Sequence, residues 1–207
     1  MLSHLEREFR KSGKEYKDQP FNPELLTESI RAFWEEAGHR IGKNIVVDKF
    51  PLGAEKIKEE REQRDRMAIF VPDNVNWEDL GKIFPEIGNW GLALGNPPFD
   101  IINNSGWLWI EASVDAPNRY ITPKEGSQGQ SLKTYIIGSQ ISKLLTGKYF
   151  DQDGTSSKLL GCFTAKGSAI RCRFEKHGYL VTFYRLSSKE EDGKVGSRFE
   201  EKVTWKF

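Results

Sequence analysis

The ten residues Gly106–Asp115, GWLWIEASVD, restrict the fold of this chain more than any other stretch. Side chains alternate across a strand with period two. Leu108, Ile110, Ala112 and Val114 therefore share one face, and Trp107, Trp109, Glu111, Ser113 and Asp115 share the other. A strand with large apolar groups on both sides is covered twice in a packed domain, which suits layers of helix and sheet. The reading is an α+β fold. A helix-rich mixed part over residues 1–95 leads into a β-rich part over 96–207, whose meander-like antiparallel sheet is braced by a buried helix near 131–146. These parts are two domains or one continuous domain. About a quarter of the chain is Leu, Ile, Val or Phe, enough apolar material to rule out a disordered chain.

Local signals fill in the order of elements. Leu2, Leu5 and Phe9 mark a short amphipathic helix that ends in KSGKEYKDQ. Asn22 is an N-cap, Pro23 fits the first helical position, and Leu26, Ile30, Phe33, Trp34 and Ala37 form one apolar stripe before Gly38. That spacing predicts a helix over 22–37. A strand is expected at Asn44–Phe50 with Ile45-Val46-Val47 buried, then a solvated charged segment at 54–66 and a strand at Met67–Val71. Asn76 caps a brief helix, 77–84. GNWGLALGNPP, from Gly88 to Pro98, is the plausible boundary. After the helix, strands are expected near 158–164, 168–175, 179–186 and 197–206.

Several function classes lose support at once. With 31 basic against 30 acidic residues the chain is no general polyanion binder. No apolar run approaches a membrane span, and the start MLSHLEREFRKSGK lacks a signal-peptide core. Two cysteines, Cys162 and Cys172, are expected to be unpaired in a reducing, cytoplasmic setting. The three histidines, His4, His39 and His177, fall at a terminus, a helix end and a turn, and no G-x-S-x-G elbow is present. Asp151-Gln152-Asp153-Gly154 opens like a calcium loop, yet its twelfth position is Cys162, so an Asp-Gly turn is expected. GSQGQ before the 131–146 helix, with Lys133 in its first turn, offers backbone donors to an anion.

Two surfaces remain. Trp107 and Trp109 beside Glu111, Ser113 and Asp115 form a candidate ligand-binding face, unless a helix such as 22–37 covers the indoles. Arg171, Arg173 and Arg185 with Lys166, Tyr179 and Phe183 suggest a nucleic-acid surface, or a charge-paired sheet face. Asp100, then Glu111-Ala112-Ser113 on a strand, then a helix with Gln130 and Tyr135, resembles the metal-dependent nucleases of the restriction-endonuclease class over about forty residues. That resemblance implies Mg²⁺ on Asp100 and Glu111. The chain departs from the pattern at Ser113, where those enzymes carry lysine. With no complete catalytic set, the sequence favours a non-catalytic cytoplasmic binding or interaction protein without a cofactor, its partner a small molecule or a protein. The nuclease-like enzyme and a nucleic-acid-binding accessory protein are the alternatives.

Overall fold

The computed structural model of the protein describes residues 21–87, 104–118, 129–163, 169–183 and 194–204. The expected helix at 2–9, the 88–98 boundary, Asp100, Lys166 and Arg185 lie outside them. Within the described residues the chain is α+β, with four helices and two open, mostly antiparallel sheets.

Helix α1 runs Pro23–Ile41, and the Asn22 side chain accepts the Glu24 and Leu25 N–H groups at its start. It continues one turn past Gly38. Gly42, at φ 68°, makes the left-handed cap instead. Gly38 has a different task, because a Cβ there would collide with the Lys43 carbonyl of the returning chain. Helix α2, Ala54–Arg64, is the charged segment. It docks through Ile57 and through Glu60, whose buried carboxylate is met by Lys56, Arg64 and Arg66 at 3.0, 3.1 and 3.4 Å. Helix α3, Trp77–Ile83, starts in a capping box between Asn76 and Asp79.

Sheet one has the order β1-β2-β7, from Arg66–Val71, Gly106–Glu111 and Glu200–Lys202. β1 pairs with β2 antiparallel, Met67 opposite Ile110 and Ala68 opposite Trp109, so the ladder joins residues on either side of position 95. The bond from Ala112 N–H to the Asp65 carbonyl fixes which β1 groups face β2. By alternation, Phe70 then points its carbonyl to the open edge. There the buried Trp34 indole of α1 donates to it at 3.0 Å. Helix α1 thus seals an edge that would otherwise invite pairing.

Sheet two has the order β5-β4-β3-β6, from Leu180–Phe183, Ala169–Phe174, Ser156–Phe163 and Val195–Arg198. β3 and β6 pair in parallel. The single last strand expected at 197–206 is therefore divided: β6 closes sheet two, and after Phe199, β7 joins sheet one. Helix α4, Leu132–Thr146, touches both sheets and is buried from Leu132 to Ser142. On one side Gly138 lets it approach Ile110 of β2. On the other, Tyr135 stacks with Phe174 at 5.8 Å, and Phe174 with Tyr149 at 5.1 Å.

The expected strand 44–50 differs from its sequence reading. It belongs to no ladder, and while Ile45 and Val47 are buried, Val46 is 69% exposed. Period-two alternation explains the inversion: a run of three apolar residues cannot be buried from one side only.

Trp34→Ala should cost about 3–5 kcal/mol in urea unfolding, the range for a large buried aromatic. Trp34→Phe, which keeps most of the packing but orphans the Phe70 carbonyl, should cost about 1–3 kcal/mol. A loss below 1 kcal/mol in both would contradict the edge seal.

Candidate functional site

The face of β2 that carries the indoles is filled by the chain itself. Trp107 and Trp109 are 6% and 4% exposed. Phe50 meets both rings edge-on, with centroids 5.0 and 5.6 Å away, and Phe70 meets Trp107 at 5.5 Å. Trp107 Nε1 donates to the Asp48 carbonyl at 2.9 Å. Of the two alternatives the sequence left open, the covered face is the one seen, but the cover is the 44–50 segment and not α1, whose Trp34 lies at the β1 edge.

Glu111 and Ser113 are also turned to internal work, whereas Asp115 is exposed and its backbone carbonyl accepts from Ser113 and Arg198. Glu111 is half-buried at the end of β2. Its Oε2 accepts the Phe199 N–H at 2.9 Å and its Oε1 accepts the Asn118 amide. Burial pushes its carboxyl above the usual range, against these donors and the Arg198 and Arg66 charges. Ser113 Oγ donates to the Asp115 carbonyl at 3.1 Å. A nuclease-type metal would need carboxylate oxygens free to converge on it, and both Glu111 oxygens are engaged. Among the described residues no three acidic, His or Cys side chains are grouped to hold a metal ion. Glu111 as placed offers no free oxygen to Mg²⁺, and Asp100, the other carboxylate of that alternative, lies outside the described residues.

The backbone of this same stretch converges on a residue that sequence reasoning missed. Arg198 of β6 is fully buried. Its Nη2 reaches the carbonyls of Ser113, Val114 and Asp115 at 3.0, 3.1 and 3.2 Å, and its Nε donates to Ser157 Oγ at 2.9 Å. The guanidinium lies 4.0 Å from the Phe150 ring centroid. Ser157 Oγ passes the contact on to Asp151 Oδ2 at 2.7 Å. Asp151, also fully buried, accepts from Tyr135 Oη at 2.8 Å and Thr155 Oγ1 at 2.7 Å, with Arg198 3.5 Å away. Burial and the Asp151 charge raise the Tyr135 hydroxyl well above its ordinary value, so it stays a donor. The Asp-Gly turn expected at 151–154 holds the central acceptor of this network, with Asp151 in the left-handed region at φ 60°. A weak signal was available: Thr155 and Ser157 follow at short range on the strand side.

The other sequence candidates resolve similarly. The α4 N-terminus already has its anion, because Glu200 Oε2 accepts the Ser131 N–H at 3.0 Å. Burial pushes the Glu200 carboxyl up. Lys133 is buried and donates to the Pro72 carbonyl at 2.8 Å. On sheet two, Arg173 is tied to Glu175 at 2.7 Å. Cys172 is free and buried, and its thiol is pushed well up by that burial. His177 is exposed in a turn.

Among the described residues, a groove open to solvent lies at the far end of α1. Glu35, Gly38, His39, Gly42, Lys43, Asn44 and Ile45 line a groove of about 450 Å³. It runs directly into the unpaired segment that carries the exposed Val46.

Arg198→Met should lower stability by about 3–5 kcal/mol, since it strands the buried Asp151 charge. Adding Asp151→Asn should cost less than the two single changes summed. Additive losses would contradict the coupling. A pH dependence follows as well. Glu111 is raised above its ordinary 4.5, so the native chain holds more protons than the unfolded one between the two values. Its contribution to stability then falls as pH rises through that window and is level above it. The decline in urea midpoint above pH 4.5 should be shallower in Glu111→Gln than in the wild type, and parallel curves would contradict it. No family model, no curated protein and no solved structure matches this chain, so its own geometry is what bears on its function.

Proposed function

We propose that this protein is a non-catalytic interaction protein whose partner is another protein. The observation that carries the reading is the stretch Ile45–Val47, whose burial alternates residue by residue as in a strand. Its backbone makes no hydrogen bond among the described residues, and Val46 is presented to solvent beside a groove. Backbone left unpaired in this way is open to strand addition by another chain, although it belongs to neither sheet. The chemistry-bearing groups give the same direction. The Glu111 oxygens, the Ser113 hydroxyl and the Asp151 carboxylate are all consumed by donors or acceptors within the chain. Arg173 is charge-paired, which weakens the nucleic-acid reading. No described helix is long and apolar enough to cross a membrane. A cytoplasmic setting is part of the proposal and rests on the free, buried Cys172.

The test is a paired assay on the wild type and Glu111→Gln. Plasmid and single-stranded DNA are incubated with Mg²⁺ or Mn²⁺, and a panel of sugars, nucleotides and amines is screened by thermal shift. The expected result is intact DNA in every tube and no shift beyond about 1 °C, a change smaller than 1 kcal/mol produces in a domain of this size. Metal-dependent cleavage that disappears in Glu111→Gln would overturn the non-catalytic reading. A shift of several degrees with one small molecule would overturn the choice of a protein partner.

A further inference from the structure

The unpaired segment has a direction and a charge, and both restrict what can lie on it. The Asn44 carbonyl accepts from Asn74 Nδ2 at 3.1 Å, and the Asp48 carbonyl accepts from Trp107 Nε1 at 2.9 Å. In an extended chain alternate residues send their N–H and C=O to the same edge. The carbonyls of 44 and 48 therefore address the protein, and alternation puts the backbone of Val46 on the same side, where it too has no partner among the described residues. Ile45 and Val47 address the opposite edge, where their N–H and C=O have no partner among the described residues. Side chains alternate the other way, across the faces: Ile45 and Val47 are buried, and Asn44, Val46 and Asp48 are exposed. The segment thus combines an unpaired hydrogen-bonding edge with an outward row of asparagine, valine and aspartate.

The charges along it are unequal in their commitments. Lys43 is bound to Asp79 at 2.6 Å, and Lys49 lies 3.6 Å from Glu24. Glu35 in the groove and Asp48 on the outward row make no ion pair among the described residues. The C-terminal carbonyls of α1 also end beside the groove, which adds partial negative charge. Carboxylates without an ion pair among the described residues therefore stand at both ends of the exposed row, Glu35 beside His39 in the groove and Asp48 beside Lys49, with an apolar, β-branched side chain between.

We infer that Ile45–Lys49 is a strand-addition site for an extended basic peptide, which bonds the backbone of Ile45 and Val47, packs a β-branched residue on Val46 and places a lysine or arginine toward Asp48 and another toward Glu35. This inference rests on the reading of the chain as a protein-binding protein and supplies the partner's chemistry. Main-chain bonds give such a complex its affinity, and alternate side chains give its selectivity.

The probe is the blocked heptapeptide Thr-Lys-Thr-Val-Thr-Lys-Thr, whose symmetry suits either strand direction. Its controls are the same peptide with both lysines changed to glutamate, and a version with alternate backbone amides methylated. Binding to the ¹⁵N-labelled full chain is followed by NMR titration and amide exchange. The basic peptide should bind, slowing exchange at the Ile45 and Val47 amides but not at Val46. The acidic peptide should bind about tenfold more weakly, a difference near 1.4 kcal/mol, and the methylated one should not bind. Asp48→Asn with Glu35→Gln, both exposed positions that leave the fold intact, should reduce the preference for the basic peptide. Equal binding of all three peptides, protection elsewhere, or no binding at millimolar peptide would overturn the proposal. So would dimerisation of the free chain that protects Ile45 and Val47, since the occupant would then be a second copy. Each of these is distinguishable from failure of the functional reading, which shows as DNA cleavage or a small-molecule shift.

Discussion

The guanidinium of Arg198 sits where the end of β2, the 113–118 connection and sheet two meet, and Asp151 links it to α4. The connection offers three carbonyls in a row, sheet two offers Ser157, and α4 offers Tyr135 through Asp151. Carbonyls leaving the end of a strand need donors once they are buried, and water is the usual source. Here a single fork-shaped cation serves instead, stacked on Phe150. Burying a charge costs several kcal/mol, and the return is a net gain only when every group is satisfied. Asp151 meets that condition, with three hydroxyl donors and the guanidinium around it.

The same residue decides the topology at the chain's end. Arg198 is the last residue of β6 and pairs with Leu159, whereas Glu200, two positions later, pairs with Ile110 in the other sheet. A slip of one residue would turn Arg198 to the opposite face and remove it from the network. Phe199 is held between by Glu111, whose carboxylate accepts its N–H. Polar side chains, rather than apolar area, therefore specify where the chain changes sheets.

The sequence disclosed the elements whose signals are local. Asn22-Pro23 and the 26/30/33/34/37 stripe placed α1, and the two-faced pattern of 106–111 placed a central strand. The boundary of α1 was missed because Gly38 looked like a cap, while its tertiary role is to admit the Lys43 carbonyl. The indole face of β2 was legible as a face, but its cover was not, since Phe50 arrives from a segment that forms no ladder. Arg198, and the role of Asp151 beyond its Asp-Gly turn, were invisible for a related reason. Each lies in a polar stretch that reads as surface, and only the meeting of residues far apart in the chain buries them. The groove and the Val46 edge escaped notice because Ile45-Val46-Val47 reads as a buried run, and the lack of a neighbouring strand is a property of topology.

The central claim is that the Arg198 network joins the two sheets into one cooperative unit. Native-state hydrogen exchange across low urea concentrations, on the wild type and on Arg198→Met, measures this directly. The account predicts that the β1–β2 and β3–β4 amides of the wild type open with one common free energy, and that in Arg198→Met the two ladders open separately, each below that value. Separate opening free energies for the two ladders in the wild type, left unchanged by Arg198→Met, would contradict it.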